Sequence, residues 1–281
     1  MKFSNYHTHT FFCDGSSHPE LYVKKAIELG IVNLGFSSHA PLPLKNGFSL
    51  NIDNIDEYIK TIKTLKDKYT GQINIFIALE ADYIPETSYD FSLFKNKFNF
   101  DYLIGSVHLV KNLDNNKLWF IDGPEIEQYD KGLEKVFDNN IKNGVTAYYK
   151  QIQEMIITQK PDIIGHLDKI KMNNKNRFFS ESEKWYVELV DETLELILQS
   201  GSIVEVNTRG IYKKRTYDFF PSIEILKKIK NLNIPIVINS DAHHPDELGE
   251  KIPEAYKAIK EIGFKNIMEF NNSQWIEVSI D

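Results

Sequence analysis

Short β-rich runs alternate with helical runs along this chain, and almost every β-run ends on a histidine or a carboxylate. Such alternation specifies parallel strands with helices packed outside them. The β-runs are Phe3–His9, Asn33–Ser37, Ile73–Leu79, Asp101–Val107, Asp162–Gly165, Ile203–Asn207 and Pro235–Asn239. Helices are predicted over Pro19–Leu29, Asp53–Tyr69, Glu125–Asn139, Gly144–Gln159 and Ser180–Ser200, from Pro221 onwards, and over Pro253–Ile262. Pro19 opens the first helix, Gly30 and Gly71 stop the first two, and Gly201 caps the long one. In the second helix Ile55, Ile59, Ile62 and Leu65 recur at helical spacing. A short helical piece is expected around Tyr89–Lys97, and Asn266–Phe270 leads to a tail containing Trp275. No repeat, linker or composition break divides the 281 residues, so one domain spanning 1–281 is expected.

The run ends carry the chemistry. Side chains two apart on a strand share a face, so His7 and His9 point the same way and can pinch one ion. Alone, a His-x-His describes a surface strand with two solvated imidazoles. Here the second run ends at His39, the third at Glu80, the fourth at His108, the fifth at His166 and the seventh at Asp241 and His243. In a barrel of parallel strands those ends converge on one face. Of the 8 histidines, only His18 and His244 fall elsewhere. So many imidazoles and carboxylates exceed what one ion of four to six coordination takes. They suit two or three divalent ions of zinc, manganese or iron, with Glu80 able to bridge two of them. Paired ions of this kind share a hydroxide and grip the entering and leaving oxygens of a displacement at phosphorus.

Composition narrows the partners. A formal net charge of −7, with lysines spread along helical runs, argues against a nucleic-acid footprint. No apolar run reaches the roughly 20 residues of a membrane span, and the chain opens on a strand instead of an apolar leader. The single cysteine, Cys13, rules out an internal disulfide and suits a reducing cytoplasm. The expected partner is a small phosphate ester, not nucleic acid or membrane; the oligomeric state is left open.

The motifs His7-Thr8-His9-Thr10, Ser38-His39-Ala40-Pro41, Glu80-Ala81-Asp82, Gly105-Ser106-Val107-His108, Gly165-His166-Leu167-Asp168 and Ser240-Asp241-Ala242-His243 occur in that order. This set resembles the PHP (polymerase and histidinol phosphatase) superfamily. Phe12-Cys13, Phe36 to Pro43, Trp119 to Asp122 and Glu205 to Gly210 bring it nearer to the histidinol-phosphate phosphatases of that superfamily. The resemblance implies a distorted (β/α)7 barrel with a trinuclear centre. It implies a first metal on His7, His9, Glu80 and Asp241, a second on Glu80, His108 and His166, and a third on His39, His243 and a residue of the loop after strand one. That loop reads Cys13-Asp14-Gly15, so Asp14 takes the place; the rival His18, just before Pro19, reads as a surface residue at a helix start. The implied reaction is hydrolysis of L-histidinol phosphate to L-histidinol and phosphate by a metal-bridging hydroxide, with Asp241 or a metal-bound water protonating the leaving group. Two rivals are a family member cleaving nucleotides or another small phosphate ester, and a metal-stabilised domain without activity.

A phosphoryl group also calls for a cation that is not a metal. Arg209 directly follows the sixth strand, and its planar fork suits two phosphoryl oxygens. Arg177, Lys213 and Lys214 are lesser candidates, and His244 is a possible substrate contact. Glu205 is expected inside the barrel and Asn207 along the pocket, with Asp82 and Asp168 orienting ligand imidazoles. Cys13 is read as packing. Phe11, Phe12, Phe48, Trp119 and Phe120 are candidates for an aromatic wall against which an imidazole-bearing substrate stacks.

Overall fold

The computed structural model describes residues 2–280. In chain order the elements are β1 (Phe3–Asn5), α1 (Pro19–Leu29), β2 (Ile31–Phe36), α2 (Ile55–Lys68), β3 (Asn74–Asp82) and α3 (Phe91–Leu93), then a π turn over Phe94–Phe98. They continue with β4 (Tyr102–Ser106), β5 (Leu109–Asn112), β6 (Lys117–Phe120), α4 (Ile126–Phe137), α5 (Ile141–Gln159), β7 (Ile163–Ile164) and α6 (Lys184–Ser200). The last are β8 (Ile203–Asn207), α7 (Arg209–Tyr212), α8 (Ile223–Asn231), β9 (Ile236–Asn239), α9 (Ile252–Ile262), β10 (Asn266–Asn271) and β11 (Gln274–Ser279).

Seven strands form one sheet in the order β1-β2-β3-β4-β7-β8-β9, and every neighbouring pair is parallel. Beyond β1 and β9 the two edges meet: Thr8 bridges Ala242 in parallel, and the His9 N–H donates to the Ala242 carbonyl at 2.8 Å. The sheet thus curls into the distorted (β/α)7 barrel that the strand rhythm and the family resemblance implied. The β5–β6 and β10–β11 hairpins are antiparallel additions.

Period-two alternation sorts the strand residues into layers. Val204, Val206, Ile236, Ile238, Leu79 and Leu103 face the helices. Phe76, Ala78, Tyr102, Ile104, Ile163, Ile203 and Val237 fill the barrel's lower interior with Tyr6. Trp275 of β11 stacks edge-on against Tyr6 at 5.0 Å and Phe270 of β10 lies 5.1 Å from Trp275, so the second hairpin floors the barrel. One step further up the same interior faces stand Glu80, Glu205, Asn207 and Asn239, all buried. The polar layer is therefore the continuation of the apolar one toward the strand ends. Gly35 makes room for this stack: a Cβ there would lie 1.8 Å from the Tyr102 hydroxyl, which donates to the Tyr6 carbonyl at 2.6 Å.

Helix ends follow the predicted signals. His18 caps α1, its ring accepting from the Glu20 N–H, and Gly30 and Gly201 stop α1 and α6 in the left-handed conformation. Some bounds differ. The first strand stops at Asn5; beyond it Thr8 bridges Ala242 on one side and its carbonyl accepts the Ser37 N–H at 2.9 Å on the other. Helix α6 starts at Lys184, after a turn in which the Glu183 carboxylate accepts the Ser180 N–H. Neither antiparallel hairpin was expected; residues 113–116 form the turn between β5 and β6. Among the described residues no helix is long and apolar enough to cross a membrane.

Candidate metal centre

Glu80, near the end of β3, is the hub. Its Oε2 lies 3.2 Å from His7 Nε2, 3.3 Å from His9 Nε2 and 3.1 Å from His39 Nδ1. Its Oε1 lies 2.9 Å from His166 Nε2 and 3.6 Å from His108 Nε2, and accepts from the Ser106 hydroxyl at 2.6 Å. Asp241 Oδ1 stands 3.4 Å from His9 Nε2, 3.8 Å from His7 Nε2 and 3.4 Å from His243 Nδ1. Asp14 Oδ1 lies 3.4 Å from His243 Nε2, 3.7 Å from His39 Nε2 and 3.8 Å from His9 Nδ1. Donors that share a tetrahedral ion at bonds of about 2.0–2.2 Å sit roughly 3.3–3.6 Å apart, so these spacings fit metal coordination.

Three donor groups stand out: His7, His9 and Asp241; His39, Glu80 and His108; and His9, Asp14, His39 and His243. His166 joins the second through the 3.2 Å approach of its Nε2 to His108 Nε2. All nine expected metal ligands thus come together. The ring atoms His7 Nε2, His9 Nε2 and His39 Nδ1 are buried and accept or donate no hydrogen bond. Orphaned buried nitrogens are costly unless a further ligand satisfies them, and a divalent cation would do so here.

Backbone and second-layer contacts aim the ligands. His166 and Asp241 sit at φ 23° and 54°, conformations rare for residues with a side chain and typical of strained functional positions. Glu205 receives His7 Nδ1 at 2.6 Å, the His166 N–H at 2.9 Å and the Asn207 and Asn239 amides at 3.0 and 2.9 Å. Asp82 accepts the His108 N–H at 2.9 Å, with its other oxygen 3.6 Å from His108 Nδ1. Asp168, expected beside an imidazole, instead faces Lys171 at 2.7 Å and accepts the Ser222 N–H.

The electrostatics are those of crowded opposite charges. Burial opposes ionisation of Glu80, but the His7, His39 and His108 rings outweigh it and hold the carboxyl well below the usual range. Burial likewise disfavours a charged His7, yet Glu205, Glu80 and Asp241 raise it to about 10. His39 is pushed well below its ordinary value by burial and then by His9, and burial with Lys169 lowers His166. Protons on His7 and His9 offset the carboxylates; a divalent ion would displace them.

Of the expected cations, Arg209 is at the centre. Its Nη1 donates to the Asp241 carbonyl at 2.7 Å and lies 3.1 Å from the Tyr212 hydroxyl and 3.4 Å from Glu247. Lys213 pairs with Glu247 at the rim. His244 is 51 % exposed and caps the turn after it, its ring accepting the Asp246 N–H. Arg177 lies away from the centre, its fork taken up by both Asp130 oxygens at 2.7 Å. Phe48 and Phe120 stack at 6.1 Å beside His39 and His108, as a wall would. Trp119 is instead core, packed on Tyr129 and Phe137. Phe12 packs edge-on against Tyr58, and Phe11 is exposed. Cys13 Sγ lies 3.5 Å from His9 Nδ1, closer to the ligands than packing alone implied.

Two residues of the mouth had no role assigned from sequence. Asp122, after β6, lies 2.9 Å from Lys169 Nζ, 3.7 Å from Arg215 and 3.9 Å from His108 Nε2. Its signal was the Trp119–Asp122 segment, noted only for its resemblance. Lys169 gave none beyond its place three residues after His166.

Fold and donor set define a metal-centred α/β barrel. The PHP domain model matches residues 5–209, and the chain belongs to that family. A Bacillus subtilis relative, a histidinol-phosphatase, is 30% identical over 91% of this chain and 97% of its own. A solved Listeria monocytogenes structure matches at TM-score 0.79 and 23% identity over 90% of this chain and 99% of its own. A Lactococcus lactis histidinol phosphate phosphatase, complexed with zinc, L-histidinol and phosphate, matches at TM-score 0.70 and 22% identity over 98% of this chain and 100% of its own.

Proposed function

We propose that the protein is a metal-dependent phosphomonoesterase hydrolysing L-histidinol phosphate to L-histidinol and phosphate, a step of histidine biosynthesis. The observation that carries this reading is the set of five imidazoles, from four strand ends, placed within 3.6 Å of the single carboxylate Glu80. It is supported by the Bacillus subtilis relative's activity and by the ligands of the Lactococcus lactis structure.

His7, His9, Glu80 and Asp241 would hold one ion, Glu80, His108 and His166 a second, and Asp14, His39 and His243 a third. Bound zinc, manganese or iron supplies a water ionised near neutral pH and positive charge for the phosphoryl oxygens. The chain does the rest. Arg209, tied through Nη1, presents the remainder of its fork to the phosphoryl group. Asp241 is held ionised, because His7 and Arg209 outweigh its burial, the state in which its carboxylate can hold a cation; the leaving alkoxide would take its proton from Asp241 or from solvent at the centre. Phe48 and Phe120 receive the imidazole ring of the substrate. A cytoplasmic setting fits the unpaired thiol of Cys13.

The test is phosphate release from L-histidinol phosphate by protein loaded with manganese or zinc, beside nucleoside monophosphates and other small phosphate esters. The expected outcome is a preference of about a hundredfold for histidinol phosphate. Protein that cleaves the other esters well and leaves histidinol phosphate intact overturns the substrate.

A further inference from the structure

Lys169 is only 3 % exposed, an unusual fate for a lysine. It opens the turn Lys169–Lys171, its N–H donating to the His166 carbonyl at 2.9 Å, so its tether to a ligand residue is short. The ammonium has three N–H bonds to place. Asp122 Oδ2 at 2.9 Å takes one, while Asp241 Oδ2 at 3.9 Å is beyond hydrogen-bond range. No other acceptor reaches it among the described residues. Asp122 is itself incompletely satisfied: its Oδ1 is buried and accepts no hydrogen bond.

Position completes the argument. Lys169 lies between Asp241, in the donor group of His7 and His9, and Asp122, which faces His108 of the neighbouring group. Burying an ammonium beside a centre that also takes divalent cations is unfavourable unless an anion is shared between them. A phosphate monoester is such an anion, and its oxygens accept from the unused N–H bonds. Arg209 approaches the same Asp241 from its carbonyl side.

We infer that Lys169 is a second phosphoryl-binding cation of this site, donating to a non-bridging phosphate oxygen while Asp122 holds its ammonium in place. The inference rests on the phosphomonoesterase reading above but is tested apart from it, with inorganic phosphate as the ligand of the metal-loaded full chain. Titration calorimetry is expected to show phosphate binding weakened about tenfold to a hundredfold in Lys169→Gln. Metal stoichiometry stays at the wild-type value and Lys169→Arg restores most of the affinity. The double variant Lys169→Met/Asp122→Asn leaves neither charge unpaired and guards against misfolding; it is expected to lose the same affinity. Either neutral variant binding phosphate as the wild type does, with metals in place, reduces Lys169–Asp122 to a structural pair and overturns the inference. Failure to hydrolyse histidinol phosphate, with the phosphate effect intact, refutes the substrate alone.

Discussion

His7 Nδ1 and Glu205 Oε1 lie 2.6 Å apart, and both side chains are fully buried. That contact fixes the ring: Nδ1 is committed to Glu205, and Nε2 is turned toward Glu80 and Asp241. Carboxylate–histidine–metal relays of this form orient the ligand and raise its basicity. Glu205→Gln keeps the shape and removes the charge. It is expected to weaken metal affinity about tenfold to a hundredfold, read by competition with a chelating dye.

Metal removal is expected to abolish phosphate release and lower the melting temperature, since bound ions stabilise only the folded chain. At a concentration about a hundredfold above Kd the stabilisation is about 2.7 kcal/mol. A phosphate-release assay and differential scanning calorimetry, each with and without chelator and followed by zinc or manganese add-back, measure the two effects. Unchanged melting after verified metal loss contradicts the coordination described here.

Arg209→Lys keeps a charge but loses the fork. With Nη1 held by Asp241, Tyr212 and Glu247, a lysine cannot both satisfy the Asp241 carbonyl and reach substrate. A fall of about a hundredfold in kcat/KM is expected, with metal content preserved, as steady-state kinetics and elemental analysis will report.

His243 supplies a pH signature in metal-free protein. Burial, then the charges of His9 and Arg209, lower it from 6.5 to about 4. The folded state therefore holds this proton less tightly than the unfolded chain does. The stability it contributes is present above about pH 6.5 and is lost as pH falls toward about 4. Melting curves in chelator should decline more steeply across that window for the wild type than for His243→Gln; parallel declines count against it.

Gly35→Ala places a methyl group 1.8 Å from the Tyr102 hydroxyl and so displaces the bond to the Tyr6 carbonyl. Overpacking of this kind costs about 1–3 kcal/mol. Thermal denaturation should show the loss, while metal stoichiometry below the transition stays unchanged.

Much of the site was legible because period two and parallel order act together: a histidine at a strand end has nowhere to go but the mouth. His7, His39, Glu80, His108 and His166 follow that rule. Trp119 did not, because its burial is decided by how the next two helices, α4 and α5, fold back over β6. Gly132 of α4 and Gly144 of α5 leave the space its indole fills, where a Cβ would approach to 2.2 and 2.8 Å. Lys169 escaped notice because local sequence cannot tell a solvated lysine from one folded under a carboxylate 47 positions earlier, Asp122. Arg177 misled for the converse reason: its charge is spent on Asp130, a partner visible only in three dimensions.

The seam where Thr8 meets Ala242 also sets an order of events during synthesis. A nascent chain that has emerged only as far as α6 already carries five of the six imidazoles of the cluster, but neither Asp241 nor His243. Its opening histidines have no far edge against which to settle. The whole cluster therefore cannot assemble around cations before the ribosome has delivered β9 and the residues just after it.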